Sequence, residues 1–219
     1  MPRIPMNPDP DIPGYNVWNY TMDLMKIALE NAGKYGLTID GIELDNFMGR
    51  TGCLDLRREA IEALDWNLVY DPNTFKPAVH LSYAAVEYLA RLKMWMKEYM
   101  PGTGLTGNFI AEGYTNFGIP YLDALPFECS HKGFNWGDEE LLYRRVMSGN
   151  RIAIGVATWS IVEKPELIEE FIDTLLFYGM LSVYVQKAIL NRKLWKSTVK
   201  LWLKLFKFSK LYMRQVGDR

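Results

Sequence analysis

Two carboxylates, Glu43 and Asp45, lie near the end of a short apolar run from Leu37 to Phe47 that Gly36 and Gly49 bracket. Ile39, Ile42 and Leu44 give this run the β-branched and aliphatic bulk of a strand buried on both faces, as in a parallel sheet. Side chains alternate along a strand, so Gly41, Glu43 and Asp45 share one face while Ile42 and Leu44 share the other. Carboxylates are rarely buried without a partner, and two on one face need a reason. Acids at the carboxyl ends of parallel strands form the reactive rim of a (β/α) barrel. The plainer alternative is that Asp45 caps the next segment and Glu43 pairs with an Arg or Lys. A third carboxylate, Glu128, closes another hydrophobic run from Tyr121.

The elements that must position these acids follow from the periodicity. Apolar positions Val17, Tyr20, Leu24, Ile27 and Ala28 predict a helix over 16–32, which Gly33 and Gly36 stop. Gly49 to Pro77 reads as a long polar connection with a short helix at 56–64, the length typical of a functional loop. Ala85, Tyr88, Leu89, Leu92 and Trp95 form the stripe of a helix over 82–100, with Ser82 as its N-terminal cap. Strands are expected over 105–111, 121–128, 152–158 and 180–185, with helices over 139–148 and 167–178. Alternating strands and helices imply an α/β fold with a parallel sheet, either barrel or doubly wound. About five strands are readable, where a closed barrel needs eight. No glycine-rich phosphate fingerprint follows any strand, which counts against the dinucleotide-binding version.

Totals set further bounds. The 219 residues are 49% hydrophobic and 23% charged with a net charge of −1, ordinary for a soluble globular protein of one or two domains. Cys53 and Cys129 make neither a metal spacing nor a disulfide framework, and His80 and His131 are too far apart to suggest a metal pair. Residues 1–15 carry five prolines and no signal-peptide core. The longest uncharged apolar stretch, near Thr174 to Val185, is too short to span a membrane. A cytoplasmic, soluble chain without cofactor or metal is the resulting expectation, and nothing points to nucleic acid. Charge is unevenly distributed, with nine Lys and Arg against one Asp in 191–219. There Lys193, Lys196, Lys200, Lys204 and Lys207 line one helical face opposite Leu194, Leu201, Trp202, Leu205 and Phe208. That segment reads as a last helix with a solvated cationic side, ahead of a membrane-surface or acidic-partner helix.

The stretch Asp40-Gly41-Ile42-Glu43-Leu44-Asp45-Asn46-Phe47 resembles the Asp-Gly-Ile-x-x-Asp-Asn strand of glycoside hydrolases built on a (β/α)8 barrel. Ser82 with Glu87, Gly107-Asn108, Leu122-Asp123-Ala124 before Glu128, Tyr143-Arg144-Arg145 and Phe177-Tyr178-Gly179-Met180 continue the likeness. Each of these motifs is short, though together they run along nearly the whole chain. The resemblance implies the C-terminal part of a TIM-type barrel, from about the fourth strand, over 1–190, with 191–219 as its last helix. It implies a carbohydrate substrate, and a homo-oligomer or a complementing N-terminal half as partner.

Glycoside hydrolysis needs one ionised and one protonated carboxyl across the scissile bond. The resemblance gives Asp45 the ionised role and Glu128 the acid role, with Glu112 and Asp123 as competitors for the latter. Glu43, Asn46, Asn108, Asp123, Trp136 and Trp159 become the expected sugar-binding residues. Loop aromatics, Tyr114 and Phe134 included, suit the apolar faces of sugar rings. A half-barrel that binds carbohydrate or serves assembly without catalysis is the alternative.

Overall fold

Helix α1, Val17–Lys34, begins where Asn16 accepts a hydrogen bond from the Asn19 amide, 3.0 Å away. The Asn16 amide group also donates to the Pro10 and Ile12 carbonyls, which ties the proline-rich arm to the helix start. At the other end the Leu37 amide still donates to the Ala32 carbonyl. That bond delays the first strand, β1, to Gly41–Asp45 rather than the expected Leu37. The computed structural model describes residues 6–45, 53–108, 113–129, 138–157 and 165–184. The basic C-terminal segment 191–219 lies outside them.

The long connection after β1 contains the short helix expected at 56–64 and, beyond that expectation, three short strands. It holds β2 (Leu54–Asp55), α2 (Arg58–Ala63), β3 (Val69–Tyr70) and β4 (Pro77–His80). These three strands form an antiparallel sheet in the order β2-β4-β3. Two-residue strands carry no readable periodicity, which is why the sequence hid them. Helix α3, Leu81–Tyr99, follows directly, and its cap is His80, whose Nδ1 accepts from the Ser82 amide, rather than Ser82 itself. Pro101 and Gly102, the latter at φ +83, turn the chain into β5, Gly104–Asn108. A 3-10 segment (Gly113–Tyr121) leads to β6, Ala124–Cys129. Then come α4 (Asp138–Ser148), β7 (Ile152–Ala157), α5 (Pro165–Phe177) and β8 (Leu181–Tyr184).

The main sheet is parallel, five-stranded and ordered β1-β5-β6-β7-β8, so neighbours follow chain order once the small sheet is set aside. The α/β class expected from the alternation of elements is therefore present. Among the described residues no helix is long and apolar enough to cross a membrane.

The chain divides into two compact units, Met1–Phe127 with Glu140–Ile154 and Glu128–Glu139 with Gly155–Arg219. In the first, one apolar layer holds Met22 of α1, Tyr88, Leu89, Leu92 and Met96 of α3, and Ile42 and Leu105 of the sheet. Leu92 and Leu105 are wholly buried, and each such side chain contributes roughly 1.5–3 kcal/mol. A second small core packs the start of α3 on the arm, α2 and β4 through Ala84, Ile12, Ala60 and Val79. In the second unit, Gly155 of β7 lies hard against the side chain of Leu175 in α5. Any Cβ at Gly155 would approach Leu175 Cδ1 to 2.4 Å, so helix and strand meet there at glycine distance.

Candidate functional site

Strand register decides which residues reach the carboxyl rim together. β1 and β5 run parallel with Gly41 opposite Gly104, Glu43 opposite Thr106 and Asp45 opposite Asn108. Paired residues in a parallel ladder share a face. Ile42, Leu44 and Leu105 belong to the helix-covered layer. Glu43 belongs to the other alternation and is exposed, so the face it shares with Thr106 is open to solvent at that point. Asp45 and Asn108 fall in this same alternation and end the ladder. Continuing one strand further, Thr106 pairs with Ala124 of β6, and Glu128 stands two alternations beyond Ala124 on its own strand. Asp45 and Asn108 thus occupy the last positions of β1 and β5 in the first unit, while Glu128, the last residue but one of β6, belongs to the second unit. Asn46, Trp136 and Trp159 lie outside the described residues.

Asp123 is placed differently from the expectation that it binds substrate. It immediately precedes β6, at the strand's amino end. Its Oδ2 accepts from the Leu105 amide at 2.7 Å and from Lys93 Nζ, while its own amide donates to the Leu105 carbonyl. These hydrogen bonds and the Lys93 charge outweigh the cost of partial burial and hold its carboxyl below the usual carboxylate range. The residue pins β5 to the start of β6.

Aromatic side chains gather at the carboxyl side of the first unit. Helix α3 runs back from there, since its end feeds straight into the amino end of β5. Tyr83 in its first turn stacks on Trp66, with ring centroids 5.6 Å apart and an interplanar angle of 22°. Phe117 leans against both at 6.0 and 6.1 Å. Trp66 belongs to the connection after β1 and Phe117 to the connection after β5, and they are 39% and 49% exposed. Neither was singled out from the sequence, because isolated aromatics in two polar loops give no periodic signal. His80, beside Tyr83 at 5.7 Å, is buried, and burial pushes its imidazole pKa down. A neutral ring with Nδ1 as acceptor suits its capping bond.

Two other features of the first unit involve none of the residues expected to be catalytic or sugar-binding. A cavity of about 640 Å³ is lined by Asn7, Ile12, Tyr15, Tyr20, Asp55 and Arg57 among others, and by none of the residues singled out as catalytic or sugar-binding. Nearby, Asp55 receives the Arg57 guanidinium at 2.7 Å and the Asn7 side-chain amide at 3.0 Å. Arg57 is the main reason its carboxyl is lowered to about 2, against the opposing pull of burial.

Farther along the arm, Asp9 and Asp11 meet Glu87 of α3, with one oxygen from each within 4.8 Å of the others. Burial first, and then the Asp9 charge, push the Glu87 carboxyl up to about 7. The sequence signal for this group is an Asp-x-Asp in a proline-rich arm, a pattern that by itself predicts a loop. Comparison with protein-family models, with characterised proteins and with solved structures finds no match to this chain.

Proposed function

We propose that the chain hydrolyses glycosidic bonds, with the carboxylates of β1 and β6 as the working pair on a (β/α)-barrel rim. Asp45 is the ionised partner, attacking the anomeric carbon or activating a water. Glu128 is the acid that protonates the leaving oxygen. Asn108 and Glu43 hydrogen-bond sugar hydroxyls beside Asp45. The observation that carries this reading is the β1–β5 register, which ends with Asp45 paired with Asn108, two residues beyond the exposed Glu43. An acid and an amide paired at the ends of two neighbouring parallel strands match the chemistry that the carboxyl rim of a parallel sheet performs.

A panel of aryl glycosides tests it directly. Wild-type chain should release the aryl alcohol from at least one sugar, and Asp45→Asn and Glu128→Gln should abolish release while leaving the fold intact. Equal, background-level turnover by all three ends the hydrolase reading.

One observation favours a second reading, carbohydrate binding without hydrolysis. The exposed Trp66–Tyr83–Phe117 platform needs no carboxylate to stack on a sugar ring. Oligosaccharide binding that both carboxylate variants retain, in a chain without turnover, selects it.

A further inference from the structure

The arm that precedes α1 is fastened to α3 through carboxylates whose hydrogen bonds do not account for them. Asp9 is completely buried. Its Oδ1 accepts from the Asp11 amide at 2.8 Å, and its Oδ2 is buried and accepts nothing. Glu87 repeats the pattern: Oε1 accepts from the Asp65 amide at 2.8 Å, and Oε2 is buried without a partner. Asp11, whose side chain is 41% exposed, takes both contacts of the Arg91 guanidinium, at 2.6 and 2.7 Å. Arg91 brings one positive charge to three carboxylates, and the Asp65 charge adds to the repulsion. Buried carboxylate oxygens left unpaired are costly, and two of them facing like charge are more so.

We propose that Asp9, Asp11 and Glu87 form a binding site for a hard divalent cation, calcium or magnesium, that clamps the N-terminal arm to α3. The donor set is oxygen only, which suits these ions and not the softer transition metals. Asp9 Oδ2 and Glu87 Oε2 supply the two buried ligands. Asp11 supplies the third, because a carboxylate oxygen that accepts from Arg91 keeps a lone pair free. Its exposure gives the ion a way in and leaves room for the waters that complete a shell of six to eight oxygens. A bound dication gives both orphaned oxygens a partner and offsets the charge that Arg91 leaves uncompensated.

The full chain, stripped with EDTA and desalted, is titrated with calcium chloride or magnesium chloride by calorimetry and melted with and without each ion. One saturable site and a rise in Tm of several degrees at about 100 times Kd are expected for at least one of the two ions. The two arms decide which ion it is. Asp9→Asn and Glu87→Gln should each weaken binding by at least about tenfold, roughly the loss of one charge-assisted ligand contact. Asp23→Asn, an exposed acid outside the cluster, should bind as wild type does. If the buried variants do not fold, Asp11→Asn carries the same expectation. Wild-type chain that binds neither ion saturably, with a Tm unmoved by both, overturns the proposal and leaves a shared proton in the cluster. Variants that bind as tightly as wild type overturn it as well.

Discussion

Asp45 and Asn108 are backbone partners in the last pair of the β1–β5 ladder, one on each of two neighbouring parallel strands. If that pair and Glu128 work on a glycosidic bond, the three should separate kinetically. Glu128→Gln removes the proton donor and should lower kcat by about 10²–10⁴-fold. Aryl substrates with acidic leaving groups need less protonation and should lose least. Asp45→Asn should lose turnover with every leaving group. Asn108→Ala should chiefly raise KM, about tenfold, the worth of one hydrogen bond to a neutral partner. A loss in Glu128→Gln that is independent of leaving-group pKa would sink its assignment as the acid.

The aromatic platform makes a separate prediction. Trp66→Ala and Phe117→Ala should weaken oligosaccharide binding by about 2–10-fold, the range expected when one aromatic stacking contact of ~0.5–1.5 kcal/mol is lost. Both rings are substantially exposed, so the melting temperature should hardly move. Titration calorimetry with the best sugar of the panel measures the first effect and a thermal melt the second. Unchanged affinity in the double variant would remove the platform from the site.

Asp123 distinguishes a supporting residue from a substrate-binding one. Replacing it with Ala strips the Leu105 amide of its acceptor and Lys93 of its partner. A hydrogen bond to a charged group contributes about 1.5–3 kcal/mol, so the urea midpoint should fall accordingly. KM of the folded fraction should stay at the wild-type value. A KM that rises while stability is unchanged restores Asp123 to the substrate.

Much of the fold was legible because helices and buried strands leave periodic traces. The stripe Tyr88, Leu89, Leu92 announces α3, and Ile152 to Ala157 announces β7. What stayed hidden depends on contacts distant in sequence or on elements too short to repeat. Strands β2 and β3, of two residues each, exist only because β4 lies between them. His80 caps α3 because β4 delivers it there, and Ser82 is the more usual capping residue. The candidate site was legible in its strand positions, through the alternation of Glu43 and Asp45, and illegible in its partners. Trp66 and Phe117 come from two connections and Tyr83 from the first turn of α3, while Asp9 and Glu87 belong to an arm and a helix that only packing brings together.

Gly41 offers a test of the register itself. A Cβ at this position would stand 2.6 Å from the Gly104 carbonyl oxygen, a backbone atom that cannot rotate aside. Gly41→Ala should therefore push β1 away from β5 and destabilise the fold by about 1–3 kcal/mol, the usual cost of overpacking. Gly104→Ala is the control, since nothing lies within 4 Å of a Cβ there. Equal urea midpoints for the two variants would mean that β1 does not sit in the register that brings Asp45 to Asn108.

Acid stability depends on Asp55. Its carboxyl pKa is lowered to about 2 in the folded chain, chiefly by hydrogen bonds from Arg57, and returns to about 3.9 on unfolding. Folding therefore gains from the ionised form above pH ~4, and the gain is lost as the pH falls through ~4 toward 2, because the unfolded chain binds the proton first. Since Asn7 also donates to Asp55, the arm should loosen over the same window. Urea midpoints between pH 2 and 6 should fall more steeply for wild type than for Asp55→Asn, the two curves converging at the acid end. Parallel curves across that range would show that Arg57 and Asp55 contribute nothing that a proton can remove.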